Sequence, residues 1–133
     1  SKFCLSEVKI GLIPSVISPY VLAAMGERQA RRFYLTAEVM TADKAKQVGL
    51  LHEVYQTDND WQQALEGTIN LILSNAPNAM ADAKSQIFGL SHKTITPEVV
   101  QQTSEAIAKR RATNEAKEGV SAFLEKRPPN WKV

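Results

Sequence analysis

The chain of 133 residues is long enough for one compact domain with a modest core and too short for two ordinary ones. Its apolar fraction of 44% and charged fraction of 23% are typical of a soluble globular protein, and no stretch approaches the ~20 continuous apolar residues of a membrane helix. The net charge of +2 comes from nearly balanced acids and bases, so neither nucleic acid nor a membrane is expected as a partner.

Cys4 is the one cysteine, so an internal disulfide is excluded and a reducing compartment is favoured. The first residues lack the pattern of a signal peptide, and we therefore expect a cytoplasmic protein. The apolar run around Cys4 favours a buried small hydrophobe over a nucleophile.

The first predicted element is a short apolar strand over Lys2 to Val8, which carries Glu7 into a loop closed by Gly11 and Pro14. This segment is typical of the middle of a strand, so we expect the chain to begin partway through a larger fold. Because Glu7 lies between apolar residues, we expect it to be partly desolvated, a setting that suits proton transfer. Pattern alone still favours the alternative of a structural carboxylate at a strand end.

Two short helices are predicted next. Ser18 is the expected N-cap of a helix over residues 20–25 that Gly26 ends, and residues 27–36 form a second, amphipathic helix. We expect its arginines to face solvent: Arg28, Arg31 and Arg32.

The following segment, Thr41 to Gly49, is predicted to be a capped helix with Thr41 as N-cap and Gly49 as a left-handed exit. Leu50 to Tyr55 is predicted to be a second short strand. Two short strands are marginal by themselves, so we expect their sheet partners to be encoded upstream.

From Asp60 onward the pattern predicts four amphipathic helices, separated by proline and threonine signals and ended by Pro128-Pro129. The separators are Asn75-Ala76-Pro77, Thr96-Pro97 and Thr113-Asn114. Helices with so much apolar surface need a partner, so self-association is expected.

Few residues carry an obvious chemistry. His52 and His92 have no third ligand at metal spacing, so we interpret both as solvated or core-edge histidines and expect no metal site. In the tail, pattern alone favours a helix end at which Lys126 and Arg127 complement the macrodipole. The alternative is a site where an adenine packs on Phe123 and a phosphate meets Lys126.

Four separated pieces share the order and spacing of one family's carboxy-terminal half. They are Ser6 to Pro14; Met25-Gly26 with Ala30; Thr41-Ala42 with Ala45 and residues 48–51; and Glu118-Gly119 with Ala122-Phe123 and residues 125–129. Together they resemble the crotonase (enoyl-CoA hydratase/isomerase) superfamily, and closest in look are bacterial methylglutaconyl-CoA hydratase-type enzymes.

The resemblance implies an α/β fold, the crotonase spiral of ββα units, of which this chain is the carboxy-terminal, mostly helical portion with about two short strands. Residues 1–58 would end the core and 59–133 would form a helical oligomerisation region, as a trimer or a dimer of trimers. Acyl-CoA is the implied substrate, with no separate cofactor. Glu7 matches the second of two catalytic glutamates, and Phe123 and Lys126 match positions near the adenine and phosphate end of coenzyme A.

The resemblance also implies limits. The first glutamate and both oxyanion-hole segments would lie upstream of Ser1, so we expect these residues alone to be inactive. Ser15 to Ser18 replaces a Gly-rich run, so the acyl pocket wall differs from that of straight-chain enzymes. The expected activity is hydration of a 2-enoyl-CoA in leucine or acyclic-terpenoid breakdown. The alternatives are a non-catalytic helical assembly module and an isomerase or decarboxylase of the same superfamily.

Overall fold

The computed structural model describes residues 1–131, so Lys132 and Val133, the last two residues of the predicted helical region, lie outside the described part. The chain divides into two compact units, Ser1–Trp61 and Gln62–Val133. None of the helices in the described part is long and apolar enough to span a membrane.

The first unit joins two very short strands to two helices. They are β1 (Lys2–Phe3), α1 (Ser18–Thr36), β2 (Met40–Thr41) and α2 (Ala42–Gln47). The strands pair antiparallel, with Lys2 opposite Thr41 and Phe3 opposite Met40. A 3-10 turn over Glu7–Ile10 lies between β1 and α1.

A small apolar core fills this unit. Its buried members come from α1, β2 and the end of α2: Val21, Met25, Ala30, Phe33, Met40 and Val48. Phe3 and Leu5 pack against it from the extended segment after the amino terminus. Residues alternate between the two sides of an extended chain, so Cys4, between those two, points outward.

The burial predicted for Cys4 is therefore wrong. Its side chain is exposed, and its thiol donates a hydrogen bond to the carbonyl oxygen of Ala37 at 3.3 Å. The strand-like alternation of Phe3 and Leu5, which gives the run its apolar character, is also what turns Cys4 to the opposite side.

Both predicted strands need correction. The first ends at Phe3 rather than Val8, because the backbone then closes on itself: the Lys9 amide donates to Ser6 and the Leu12 amide to Glu7. Residues 50–55 of the described chain are not a strand. The Leu50 and Leu51 amides both donate to the Ala45 carbonyl, at 2.9 and 3.2 Å, and so complete the end of α2 instead of pairing with a neighbouring strand.

Of the helix boundary signals at Thr41, Gly26 and Ser18, two are found where the sequence predicts them. Thr41 caps α2 by accepting a hydrogen bond from the Lys44 amide at 3.2 Å, as predicted. The predicted break at Gly26 is confirmed: this residue, at φ 73° and ψ 162°, interrupts α1. Ser18 is the first helical residue rather than the N-cap, because its hydroxyl donates back to the Pro14 carbonyl at 2.6 Å.

The four predicted later helices are confirmed as α3 (Asp58–Leu73), α4 (Pro77–Leu90), α5 (Pro97–Arg111) and α6 (Asn114–Leu124). Thr96 and Thr113 are the N-caps of α5 and α6, and each accepts a backbone hydrogen bond through its side chain. Local sequence signals therefore set these two helix starts.

The start of α4 has a different cap. Its N-cap residue, Ala76, has no side chain that can accept a hydrogen bond. The carboxylate of Glu115, on α6, accepts instead from the amides of Asn78 and Ala79, each at 3.0 Å. Glu115 also pairs with Arg110 of α5, which reaches Asp82 of α4 at 3.2 Å. One carboxylate thus links three helices.

We expect Gly49→Ala to lower the free energy of unfolding by about 2 kcal/mol or more. Gly49 has φ 86°, and a Cβ built there would lie 2.7 Å from the Ala24 carbonyl oxygen. Gly67→Ala is the matched control, because Gly67 lies in α3 with open space at its Cβ position. Chemical denaturation should show a lower free energy of unfolding for Gly49→Ala and a slightly higher one for Gly67→Ala than for wild type. Equal stabilities of the two variants would contradict the close approach of position 49 to the Ala24 carbonyl.

We expect Glu115→Ala to destabilise the protein by about 2 kcal/mol or more, because it removes the cap of α4 and leaves the half-buried Arg110 short of a partner. Glu105→Ala is the control, since the exposed Glu105 bonds only to Gln101 among the described residues. Urea denaturation of both variants measures the difference, and a Glu115 effect no larger than that of Glu105 would show that the link is dispensable.

Candidate active site

The backbone around Glu7 is a closed local structure. Glu7 begins the 3-10 turn, and its carbonyl oxygen accepts from the Leu12 amide at 3.0 Å. Gly11 ends the turn at φ 77°, where its amide donates to Val8 at 3.3 Å. A residue with a side chain is disfavoured at such a φ, so Gly11 allows the chain to turn tightly beside the carboxylate.

The side chain of Glu7 has an unsatisfied oxygen. The residue is half-buried, and its Oε2 atom is buried with no hydrogen-bond partner among the described residues. Buried polar atoms are almost always paired, because leaving one unpaired costs free energy. The Oε2 atom thus lacks the partner within the described residues that a structural carboxylate would have, and the catalytic role of Glu7 stays a prediction.

An apolar loop follows this carboxylate. Leu12, Ile13 and Val16 are largely exposed, and Val16 reaches 90%. The segment Ser15 to Ser18, which was expected to change the acyl pocket wall, begins in this loop and ends at the first residue of α1. Exposed apolar side chains a few residues from an unsatisfied carboxylate are suited to contact an apolar ligand.

The second unit contains the other two predicted site residues, Phe123 and Lys126. Phe123 is 81% exposed near the end of α6. After the helix, the Lys126 amide donates to Phe123 and the Arg127 amide to Ala122, at 3.2 and 3.0 Å. These two bonds form a Schellman motif, which places Lys126 in the left-handed position that glycine usually occupies.

Lys126 has φ 54° there. A left-handed conformation costs a residue with a side chain about 1 kcal/mol relative to glycine. A lysine at this position is therefore less favourable for the helix end than a glycine, as are Ala37 and His92 at their own positive φ angles.

Arg127 holds the tail against α6. Its guanidinium forms two parallel bonds to Glu118, at 2.7 and 3.0 Å, and a third to Glu125 at 2.7 Å. The Asn130 amide also donates to Glu118, at 2.9 Å. We call Glu118, Glu125, Arg127 and Asn130 the tail clamp. The hydrogen bond from Arg127, and then that from Asn130, lower the pKa of Glu118 to about 2.

The histidines and arginines considered in the sequence analysis lie at the exposed surface. His52 and His92 are exposed, as expected for solvated histidines. Arg28, Arg31 and Arg32 are exposed as predicted, and the last two pair with Glu27 and Glu38. Across residues 1–131, no group of three or more His, Cys, Asp or Glu side chains is placed to hold a metal ion.

The match to a family model decides the classification. The model described as enoyl-CoA hydratase/isomerase matches residues 1–133. The chain belongs to the enoyl-CoA hydratase/isomerase family.

Curated family members support this assignment. The 2,3-dehydroadipyl-CoA hydratase of Escherichia coli is 29% identical over 133 residues, which are 99% of this chain and 51% of that protein. The mitochondrial methylglutaconyl-CoA hydratase of Mus musculus is 30% identical, over 99% of this chain and 43% of that protein. The chain thus spans about half the length of the curated relatives it matches.

Solved structures of the family share the fold. An enoyl-CoA hydratase from Shewanella pealeana has a TM-score of 0.91 and 46% identity, over 98% of this chain and 48% of that one. Pseudomonas aeruginosa AtuE has a TM-score of 0.92 and 31% identity, over 100% of this chain and 51% of that one. The predicted crotonase fold is therefore confirmed, with the mostly helical content expected of this portion.

The sequence did not reveal the tail clamp. Glu118 and Arg127 belong to a piece of the family pattern, but no role was predicted for Glu118, and Arg127 was assigned only to the helix macrodipole. Their separation of nine positions matches no periodic helix signal, and the contact forms only when the tail folds back. The sequence also did not indicate that the tail packs against Gly119. A Cβ at this position would lie 2.9 Å from the Trp131 ring, so the tail packs directly on α6.

The tail clamp predicts an acid-sensitive contribution to stability. The folded-state pKa of Glu118 is lowered from its ordinary value of 4.5 to about 2, so ionised Glu118 stabilises the folded state above pH 4.5, and this stabilisation is lost as the pH falls towards 2. The melting temperature of wild type should exceed that of Glu118→Gln at pH 7, and the two should converge near pH 2. A difference that is independent of pH would contradict an ionic clamp.

Proposed function

We propose that this chain contributes Glu7 to a site that adds water across the double bond of a 2-enoyl-CoA. The observation that carries the proposal is the buried Oε2 atom of Glu7, which has no partner among residues 1–131 and lies on a 3-10 turn. The resemblance matches Glu7 to a family glutamate. A carboxylate with an unfilled hydrogen-bonding position is suited to hold and transfer a proton.

The proposed chemistry assigns each atom of water. The water oxygen bonds to the β-carbon of the enoyl group as the C=C π bond breaks; one water proton goes to the first family glutamate and the other stays on the new hydroxyl. Glu7, protonated at the start of the step, gives its proton to the α-carbon, and proton transfer from the first glutamate through solvent restores both carboxyl groups. Electron density moves meanwhile onto the thioester oxygen, where two backbone N-H groups of the family's oxyanion hole would stabilise it. Glu7 thus acts on the carbon next to the thioester.

For the other end of the substrate, we propose that Phe123 stacks on the adenine of coenzyme A and that Lys126 contacts a phosphate. The 81% exposure of Phe123 leaves its ring face free for a base. The left-handed Lys126 supports the second contact, because its cost is offset if the ammonium binds an anion.

The acyl group we propose is methylglutaconyl or a related branched chain, within leucine or acyclic-terpenoid breakdown. The apolar loop after Glu7 supports a substrate with branched carbon, and one relative acts on methylglutaconyl-CoA by its name.

The family's members act on acyl-CoA and are generally oligomeric. We propose a trimer or a dimer of trimers, supported by apolar side chains of α3 that are exposed, including Leu71 and Leu73. Cytoplasmic location and inactivity of the 133 residues alone stay predictions.

The intact protein should hydrate crotonyl-CoA, and Glu7→Gln should lower the rate by about 100 to 10,000-fold, because the amide cannot deliver the proton. Glu66→Gln is the control, since Glu66 is an exposed carboxylate on α3. Loss of crotonyl-CoA absorbance gives both rates.

A Glu7→Gln effect below about threefold would return Glu7 to a structural role. No hydration by wild type of either crotonyl-CoA or methylglutaconyl-CoA would overturn the proposed function, and the assembly or isomerase alternatives would then be favoured.

A further inference from the structure

The tail clamp has a particular distribution of charge. Lys126 lies between Glu125 and Arg127 in sequence, and the contact of Glu118 with Arg127 brings a second carboxylate to this part of the tail. Both are engaged elsewhere. Glu125 accepts from the Ser121 hydroxyl at 2.6 Å and from Arg127, and Glu118 accepts from Arg127 and the Asn130 amide.

As a result, no carboxylate of the described chain lies within ion-pair distance of Lys126, although the surrounding tail is rich in charge. The same contacts fix the backbone, because Arg127 follows Lys126 directly and its two-point bond to Glu118 restricts rotation. Lys126 is thus held in a left-handed conformation, and within residues 1–131 it forms no ion pair with a carboxylate.

We propose that Glu118 and Arg127 are positioning residues for a phosphate of coenzyme A: they bind each other so that the Lys126 ammonium stays unpaired. Arg127 occupies the carboxylates that would otherwise neutralise Lys126, and it does not itself contact the phosphate. This inference rests on the proposed function, in which Lys126 binds that phosphate.

A double-mutant cycle in the intact protein tests it, with the dissociation constant of coenzyme A measured by calorimetry. Lys126→Gly removes the ammonium but keeps a residue suited to the left-handed position, so the helix end is preserved. Glu118→Gln breaks the clamp. Each variant should weaken binding about tenfold, and the double variant should bind no more weakly than Lys126→Gly alone.

If the dissociation constant of coenzyme A rose about a hundredfold in the double variant, the two effects would be additive. This would overturn the inference, because Glu118 would then act independently of Lys126. Wild-type binding by Glu118→Gln would overturn it too. Arg127→Lys is a second variant, which keeps the charge but loses the two-point fork. It should bind as weakly as Glu118→Gln; binding close to wild type would indicate direct contact of position 127 with the phosphate.

Substrate kinetics separate positioning from general damage to the fold. With crotonyl-CoA, Glu118→Gln should raise KM about tenfold with a far smaller change in kcat. With crotonyl-pantetheine, which lacks the nucleotide phosphates, the variant should behave like the Glu105→Gln control. If Glu118→Gln lost the same fraction of kcat/KM on both substrates, the role of Glu118 would be merely structural and the inference would fail. A wild type that binds coenzyme A but does not hydrate crotonyl-CoA would refute the proposed function while leaving the binding cycle decisive.

Discussion

The Glu115 carboxylate is the contact on which the helical unit depends. It supplies the cap that α4 lacks and pairs with Arg110 of α5, so three helices meet at one side chain. Because Glu115 lies in the first turn of α6, this contact joins the start of α6 to the start of α4. Phe123 lies on α6 and Lys126 comes just after it, so the positions of both depend on how α6 is anchored.

Left-handed residues set the turning points of both candidate site segments. Gly11 closes the turn beside Glu7 at no steric cost, as a glycine can. Lys126 makes the equivalent turn after α6 with a side chain present. Glycine thus takes the left-handed backbone freely at position 11, whereas Lys126 takes it at a steric cost. The tail clamp explains how the second, less favourable turn is held.

Local signals predicted much of this fold, and contacts between distant residues accounted for what they missed. Thr41, Thr96 and Thr113 cap helices that begin at the next residue, so a short stretch of sequence was sufficient. Glu115 caps a helix that begins almost 40 positions earlier, which no local pattern encodes. The prediction of a strand at residues 50–55 was wrong for a related reason. The segment is apolar as a strand would be, but the Leu50 and Leu51 amides donate to the end of α2. The family pattern singled out Glu7, whose catalytic role stays a prediction, whereas its unsatisfied oxygen is visible only in the folded structure.

The central claim is that Glu7 transfers a proton at the α-carbon, and exchange into a saturated substrate tests it without the water-addition step. Butyryl-CoA has an α-proton but no double bond, so a base at the α-carbon can exchange that proton with solvent while no hydration occurs. In deuterated water, NMR should show deuterium entering the α-position with the intact wild-type protein and no entry above the uncatalysed rate with Glu7→Gln. Equal exchange by the two proteins would contradict the assignment of Glu7.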